Sequence, residues 1–190
     1  RGLASAPART AEFRDAIELG LEYATRLQCR CVNLLAGRLF TGDQRDHHLA
    51  TYVENLRYAA EVFSSTGIQI CIEAINEHDM NGSLVSTQDT ALELLDRVDS
   101  PNTALQFDVY HVSMMGEHPV RRFNALSDRI GHIQFADIPG RHQPGTGTID
   151  FASLFAAIEH SSYNGWTGAE YHPTGRTTDS LNWMRDLCVR

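Results

Sequence analysis

The sequence predicts an α/β fold whose strands run parallel. Three observations carry that prediction. Apolar residues recur at three- and four-residue spacing, then in short continuous runs, and the two patterns alternate from end to end. Gly, Pro, Asn and Asp punctuate the joins between them. No low-complexity tract or linker-like stretch interrupts the array, so one domain over residues 1–190 is expected. Strands that alternate with helices pair in parallel through right-handed crossovers.

Taken in order, the opening Arg1-Gly2-Leu3-Ala4-Ser5-Ala6-Pro7-Ala8-Arg9 mimics a transit peptide in composition. It lacks a leading Met and runs straight into an amphipathic helix, so it is read as a loop. Phe13, Ile17, Leu21, Ala24 and Leu27 form the stripe of that first helix. Cys31-Val32-Asn33-Leu34-Leu35 is the first strand, closed by Ala36-Gly37. Leu49, Val53, Leu56, Ala60 and Phe63 share one face of a second helix, which Gly67 ends. Ile68 to Glu73 reads as a buried strand, and a helix over Thr90 to Val98 follows, with Ser86 and Asp89 placed as a capping box. The remaining strands are Ala104 to Asp108, Ile130 to Phe135 and Trp166 to Glu170. Helices are expected over Pro119 to Leu126 and over Phe151 to His160, the latter capped by Asp150. A last helix carries Leu181, Met184 and Leu187.

Composition removes several function classes. The chain has 16 basic and 24 acidic residues, a net charge of −8, and every basic residue is Arg. Without Lys there is no side-chain amine for a Schiff base and no P-loop lysine. The acidic balance argues against a partner with a phosphate backbone, so no nucleic acid is expected. No apolar run approaches the roughly 18 residues of a membrane-spanning helix, so no membrane is expected. Cys29, Cys31, Cys71 and Cys188 show no zinc spacing and read as free thiols, which fit a reducing cytoplasm.

Two architectures compete for this pattern. An open doubly wound sheet would carry a Gly-rich phosphate loop after an early strand, and Leu35-Ala36-Gly37-Arg38 is no such loop. A (β/α)8 barrel typically takes eight strands and about 250 residues. The five strands here fit an incomplete barrel, with N-terminal strands missing that would occupy roughly 60 to 80 residues.

In that barrel the chemistry sits where strands end. Four successive apolar runs each stop at a polar residue: Glu73, Asp108, Gln134 and Glu170. A single strand-end carboxylate reads as a solvated surface group. Four in succession, on the face where barrel strands converge, read as a site. Two glutamates, an aspartate and an amide oxygen make a hard, oxygen-rich set suited to Mg2+ or Mn2+, whereas zinc would favour more His or Cys. Asn76, His78 and Asp79 follow Glu73, and His111 follows Asp108. Arg141 lies in a Gly- and Pro-rich loop suited to covering a substrate. His78, His118, His132, His160 and His172 read as surface or loosely packed residues.

Ile72-Glu73-Ala74-Ile75-Asn76, Phe107-Asp108-Val109-Tyr110-His111, Gly131 to Asp137 and Gly168-Ala169-Glu170-Tyr171 appear in that order. With Pro139-Gly140-Arg141, Pro144-Gly145-Thr146-Gly147 and Tyr163-Asn164-Gly165-Trp166, they resemble the hydroxypyruvate isomerase family of the xylose-isomerase-like TIM barrels. The likeness spans essentially the whole chain and enters just after the third strand of the family's barrel. It implies Glu73 and Glu170 as acid and base, and Glu73, Asp108, Gln134 and Glu170 as metal ligands. It also implies substrate contacts from His111, Arg141, Asn76 and Asp79, and a place in glyoxylate metabolism. Gln134 stands where related ketose 3-epimerases usually have His. Gln143 and Thr148 stand where family members often have Glu, and Arg38 and His172 where they often have Lys.

The residues fit such chemistry on their own terms. Moving a carbonyl between adjacent carbons takes a proton from one carbon and returns one to its neighbour, work for two carboxylates. A divalent ion would stabilise the enediolate, and Arg141 is the natural partner of a substrate carboxylate. The expected partner is a small hydroxy-oxo acid, with homo-oligomerisation left open. A 2-oxo-tetronate isomerase is the nearest alternative, followed by a ketose 3-epimerase-like enzyme. A metal-dependent abasic-site nuclease would need a basic surface and more His. Read as a fragment, the chain would expose the edges of its first and last strands, self-associate and lack isomerase activity.

Overall fold

The computed structural model describes residues 2–187. The chain forms α1 (Thr10–Arg26), β1 (Cys31–Asn33), α2 (Arg45–Phe63), β2 (Gln69–Glu73), α3 (Gln88–Val98), β3 (Thr103–Asp108) and α4 (Val109–Met114). It continues through α5 (Pro119–Leu126), β4 (Ile130–Phe135), α6 (Phe151–Glu159), β5 (Thr167–Ala169), α7 (Thr177–Ser180) and α8 (Trp183–Leu187). The five strands hydrogen-bond in the order β1-β2-β3-β4-β5. The β1–β2, β2–β3 and β4–β5 ladders are parallel, as the alternation with helices requires. Two compact units divide the chain, one running to Gln106 and the other starting at Phe107.

In the first unit, α1 buries Phe13, Ile17 and Ala24 and packs against α2. The stripe stops there: Leu27 follows the last turn and is exposed. Tyr52, Leu56 and Phe63 of α2 are fully buried, as are Ile70 and Ile72 of β2. The opening residues are not a free loop. Pro7–Arg9 forms a 3-10 turn, Ser5 N donates to Ala36 O, and Asn55 of α2 donates to Ala4 O. The N-cap of α3 is Thr87, one residue past the expected Ser86, and its hydroxyl accepts from Thr90 N. Ser86 instead donates to Glu77. Arg1 and Cys188 lie outside the described residues.

In the second unit, α5 and β4 occupy the spans their patterns predict. Asp150 caps α6 by accepting from Ser153 N. Phe135 of β4 meets the rings of Phe151, Phe155 and Trp183 at 5.3 to 5.7 Å between centroids, forming this unit's aromatic core. The last helical stretch breaks into α7 and α8, and Leu181 between them is exposed. One element was not foreseen. Val109 to Met114, to which the sequence patterns assign no element, folds as α4, with Asp108 as its N-cap. Among the described residues no helix is long and apolar enough to cross a membrane.

Candidate active site

Glu73 is the last residue of β2 and is buried at 6% exposure. Burying a carboxylate requires a compensating donor, and Asn33, the last residue of β1, supplies one. The ladder sets Asn33 opposite Cys71, so Glu73 projects two residues on from the same sheet face. From there Asn33 Nδ2 donates to Glu73 Oε2 at 2.7 Å. The end of β1 is itself tied down. Leu34 N donates to Cys71 O at 2.9 Å, and the buried Tyr52 hydroxyl donates to Leu34 O at 2.6 Å. Burial, with the Glu73 carboxylate second, pushes the Tyr52 phenol far up, so it remains a donor.

Beyond Glu73 the chain turns. Asn76 is fully buried, its Nδ2 donates to Asp79 Oδ2 at 3.1 Å, and its Oδ1 accepts from Asp79 N at 2.9 Å. These two expected substrate contacts thus shape each other's position in the turn, as an Asx turn does.

Asp108 ends β3 and begins α4, which places its side chain at a strand terminus and a helix N-terminus together. Its Oδ1 accepts from Tyr110 N at 2.8 Å, and its Oδ2 lies 3.5 Å from His111 Nε2 and 3.4 Å from Arg141 Nη2. Burial pushes the Asp108 carboxyl up to about 6, against the lowering pull of Arg141 and the Tyr110 amide. His111, also buried, stacks edge-on to Tyr110.

The Arg141 guanidinium binds both Asp108 Oδ2 and Glu170 Oε2 and lies 4.7 Å from the Tyr110 ring centroid. The structure therefore places Arg141 with the two acidic strand-end residues of this unit. Glu170 stands one residue past β5, with its amide donating to Phe135 O at 3.0 Å and its side chain half exposed. Gln134 is opposite Gly168 in the ladder. His132 shares that sheet face rather than lying at the surface: it is half-buried, and a Cβ on Gly168 would sit 3.5 Å from its Nε2. Burial lowers its pKa while Glu170 pulls it upward.

Asp137 organises the loop that carries Arg141, a role that sequence reasoning missed. Fully buried, its Oδ1 accepts from Ile138 N and Ile149 N, and its Oδ2 from Gly145 N and Gly147 N, at 2.8 to 3.1 Å. A Cβ on Gly147 would lie 1.9 Å from Ile138 O and 2.6 Å from Asp137 Oδ1, so only glycine fits there. The signal was present as an acidic residue closing a strand before a Gly-rich loop. The far side of the loop is pinned by His172 N to Arg141 O at 2.7 Å.

Comparison with known proteins adds the family. The xylose isomerase-like TIM barrel family matches residues 1–187. The chain is 41% identical over 184 residues to the hydroxypyruvate isomerase of Escherichia coli, covering 97% of this chain and 71% of that protein. It is 38% identical over 182 residues to the 2-oxo-tetronate isomerase of Pectobacterium atrosepticum, covering 96% and 70%. A crystal structure described as AP endonuclease, family 2, from Brucella melitensis superposes with a TM-score of 0.94 at 35% identity, covering 98% of this chain and 72% of that one.

Proposed function

The chain belongs to the xylose isomerase-like TIM barrel family, and from that premise we propose that it is an aldose–ketose type isomerase of a small hydroxy-oxo acid. The substrate pair we propose is hydroxypyruvate and tartronate semialdehyde, in line with the Escherichia coli relative. A 2-oxo-tetronate is the second candidate, in line with the Pectobacterium relative. The observation that carries the reading is positional. Glu73 and Asp108 end β2 and β3, Gln134 is the penultimate residue of β4, and Glu170 follows β5. In barrels of this class the strand C-termini hold the chemistry.

In the proposed reaction a proton leaves C3 of hydroxypyruvate and one is returned at C2, while the hydroxyl proton passes from O3 to O2. Glu73 and Glu170 serve as the base and acid on carbon. His111, Arg141, Asn76 and Asp79 are proposed to contact substrate. Arg141 is the cation available for its carboxylate, and engaging substrate would draw it from Asp108 and Glu170.

A divalent ion fits the donor set. Asp108 and Glu170 already share one positive group, the Arg141 guanidinium. Glu73, Asp108 and His111 are each buried side chains able to offer a ligand atom. We propose Glu73, Asp108, Gln134 and Glu170 as the residues that would hold Mg2+ or Mn2+. When bound, such an ion stabilises the negative charge that develops on the substrate's oxygens.

A DNA-cleaving reading, suggested by the name of the Brucella protein, runs against the net charge of −8. Cys29, Cys31 and Cys71 are free thiols, so a reducing cytoplasm is part of the proposal, and glyoxylate metabolism follows from the substrate proposed. The test is an assay of the full-length protein with hydroxypyruvate in D2O, followed by NMR. Mn2+-dependent formation of tartronate semialdehyde is expected. No turnover of either hydroxypyruvate or 2-oxo-tetronates with Mg2+ or Mn2+ would sink the reading.

A further inference from the structure

Asn33 departs from what stability alone would select. Its Nδ2 donates to Glu73 Oε2, and its buried Oδ1 has no hydrogen-bond partner among the described residues. The orientation of the amide is not arbitrary, because a carboxylate only accepts and so draws the NH2 end toward itself. An unsatisfied buried carbonyl oxygen carries a desolvation penalty with no return.

We infer that Asn33 is a positioning residue for Glu73, holding its carboxylate in one orientation for proton transfer. The inference rests on the proposed role of Glu73 and deepens it. A neutral amide donor suits that task. It restrains the carboxylate through a charge-assisted bond of 2.7 Å without competing for it as a second cation would. The donor is in turn rigid. Asn33 lies within the β1–β2 ladder, and Leu34 after it is held on both sides, by Cys71 O and by the Tyr52 hydroxyl. The chain Tyr52, Leu34, Asn33, Glu73 thus connects a buried helix side chain to the reacting carboxylate through short hydrogen bonds. Supporting contacts of this kind keep a reactive group within the narrow geometry that catalysis tolerates.

Asn33→Leu in the full-length protein tests this, because leucine keeps the branched side-chain skeleton and has neither polar end. A loss in kcat of roughly 10- to 100-fold is expected, the scale of a carboxylate misplaced by about 1 Å. KM should change little, since Asn33 is not assigned a substrate contact. The primary deuterium isotope effect with C3-deuterated hydroxypyruvate should grow as proton transfer becomes slower. The melting temperature should fall modestly, because the buried Glu73 carboxylate loses this donor. Should Asn33→Leu not fold, Asn33→Ala is read by the same kinetic criteria. A variant with wild-type kcat, or one whose kcat loss comes with an unchanged isotope effect, would overturn the assignment. A wild-type protein that turns over nothing defeats the function itself and this inference with it, an outcome distinct from normal turnover in the variant.

Discussion

The ends of β2 and β5 carry the same residue type in the same proposed role and treat it differently. Glu73 is 6% exposed and is held by a neutral amide. The Glu170 side chain is 53% exposed and is held by a guanidinium. The partners differ in kind: Asn33 of β1 meets Glu73, while Arg141 of the loop after β4 meets Glu170. The buried Glu73 carboxylate is satisfied by an amide of the neighbouring strand. The half-exposed Glu170 carboxylate is reached by a long cation from a loop. In the proposed reaction, Glu73 is already held in place, whereas Glu170 becomes available once Arg141 engages substrate.

The sharpest way to test that contrast is to neutralise each carboxylate. Glu73→Gln and Glu170→Gln should each lower kcat on the order of 10²- to 10⁴-fold, the range of general acid–base groups. Melting should separate them. Glu170→Gln removes only a half-exposed ion pair and should shift stability by less than about 1 kcal/mol. Near-normal turnover in Glu170→Gln would remove that residue from the mechanism and dissolve the comparison.

A smaller effect, on stability rather than rate, is expected from the anchor behind Arg141. Asp137→Ala would strand four backbone donors of the loop and cost on the order of 3 kcal/mol by denaturant unfolding. Turnover should fall as well, through loss of the Arg141 placement. A variant as stable as the wild type would show that the loop holds its shape without Asp137.

The smallest effect concerns the α6 cap. Hydrogen bonds from the Ser153 hydroxyl and amide hold Asp150 below the usual carboxylate range. A carboxyl depressed in the fold stabilises above its unfolded pKa and loses that contribution as pH falls through its folded value. Asp150→Ala should therefore melt slightly lower than wild type at pH 7, and the two should converge at pH 2. A gap that persists at pH 2 would assign the effect to something other than the ionised cap.

Much of this was legible in the residues. Periodicity of 3.6 and the apolar runs set the alternation of helix and strand, because burial on one face imposes that spacing whatever the partner. The bounds of α5 and β4 and the Asp150 cap followed from local chemistry alone. Four polar strand ends could be counted without coordinates, since a buried parallel strand is a continuous apolar run and the first polar residue marks where it ends. The α4 helix could not be seen that way. Six residues are too few to show a helical period, and Val109 and Tyr110 are ordinary strand residues, so only the cap geometry of Asp108 decides it.

Local patterns therefore determined the element order, the fold class and the set of acidic strand ends. Pairing across the chain was left to tertiary structure, for a physical reason. Whether a carboxylate is met by an amide, a guanidinium or backbone donors depends on which groups the strand register and loop closure bring within about 3 Å, a distance no local pattern encodes. Asn33 reaches Glu73 across 40 residues of sequence, and Arg141 reaches Asp108 across 33. Those contacts, more than the identities of the acidic residues, set how each carboxylate is charged, oriented and exposed.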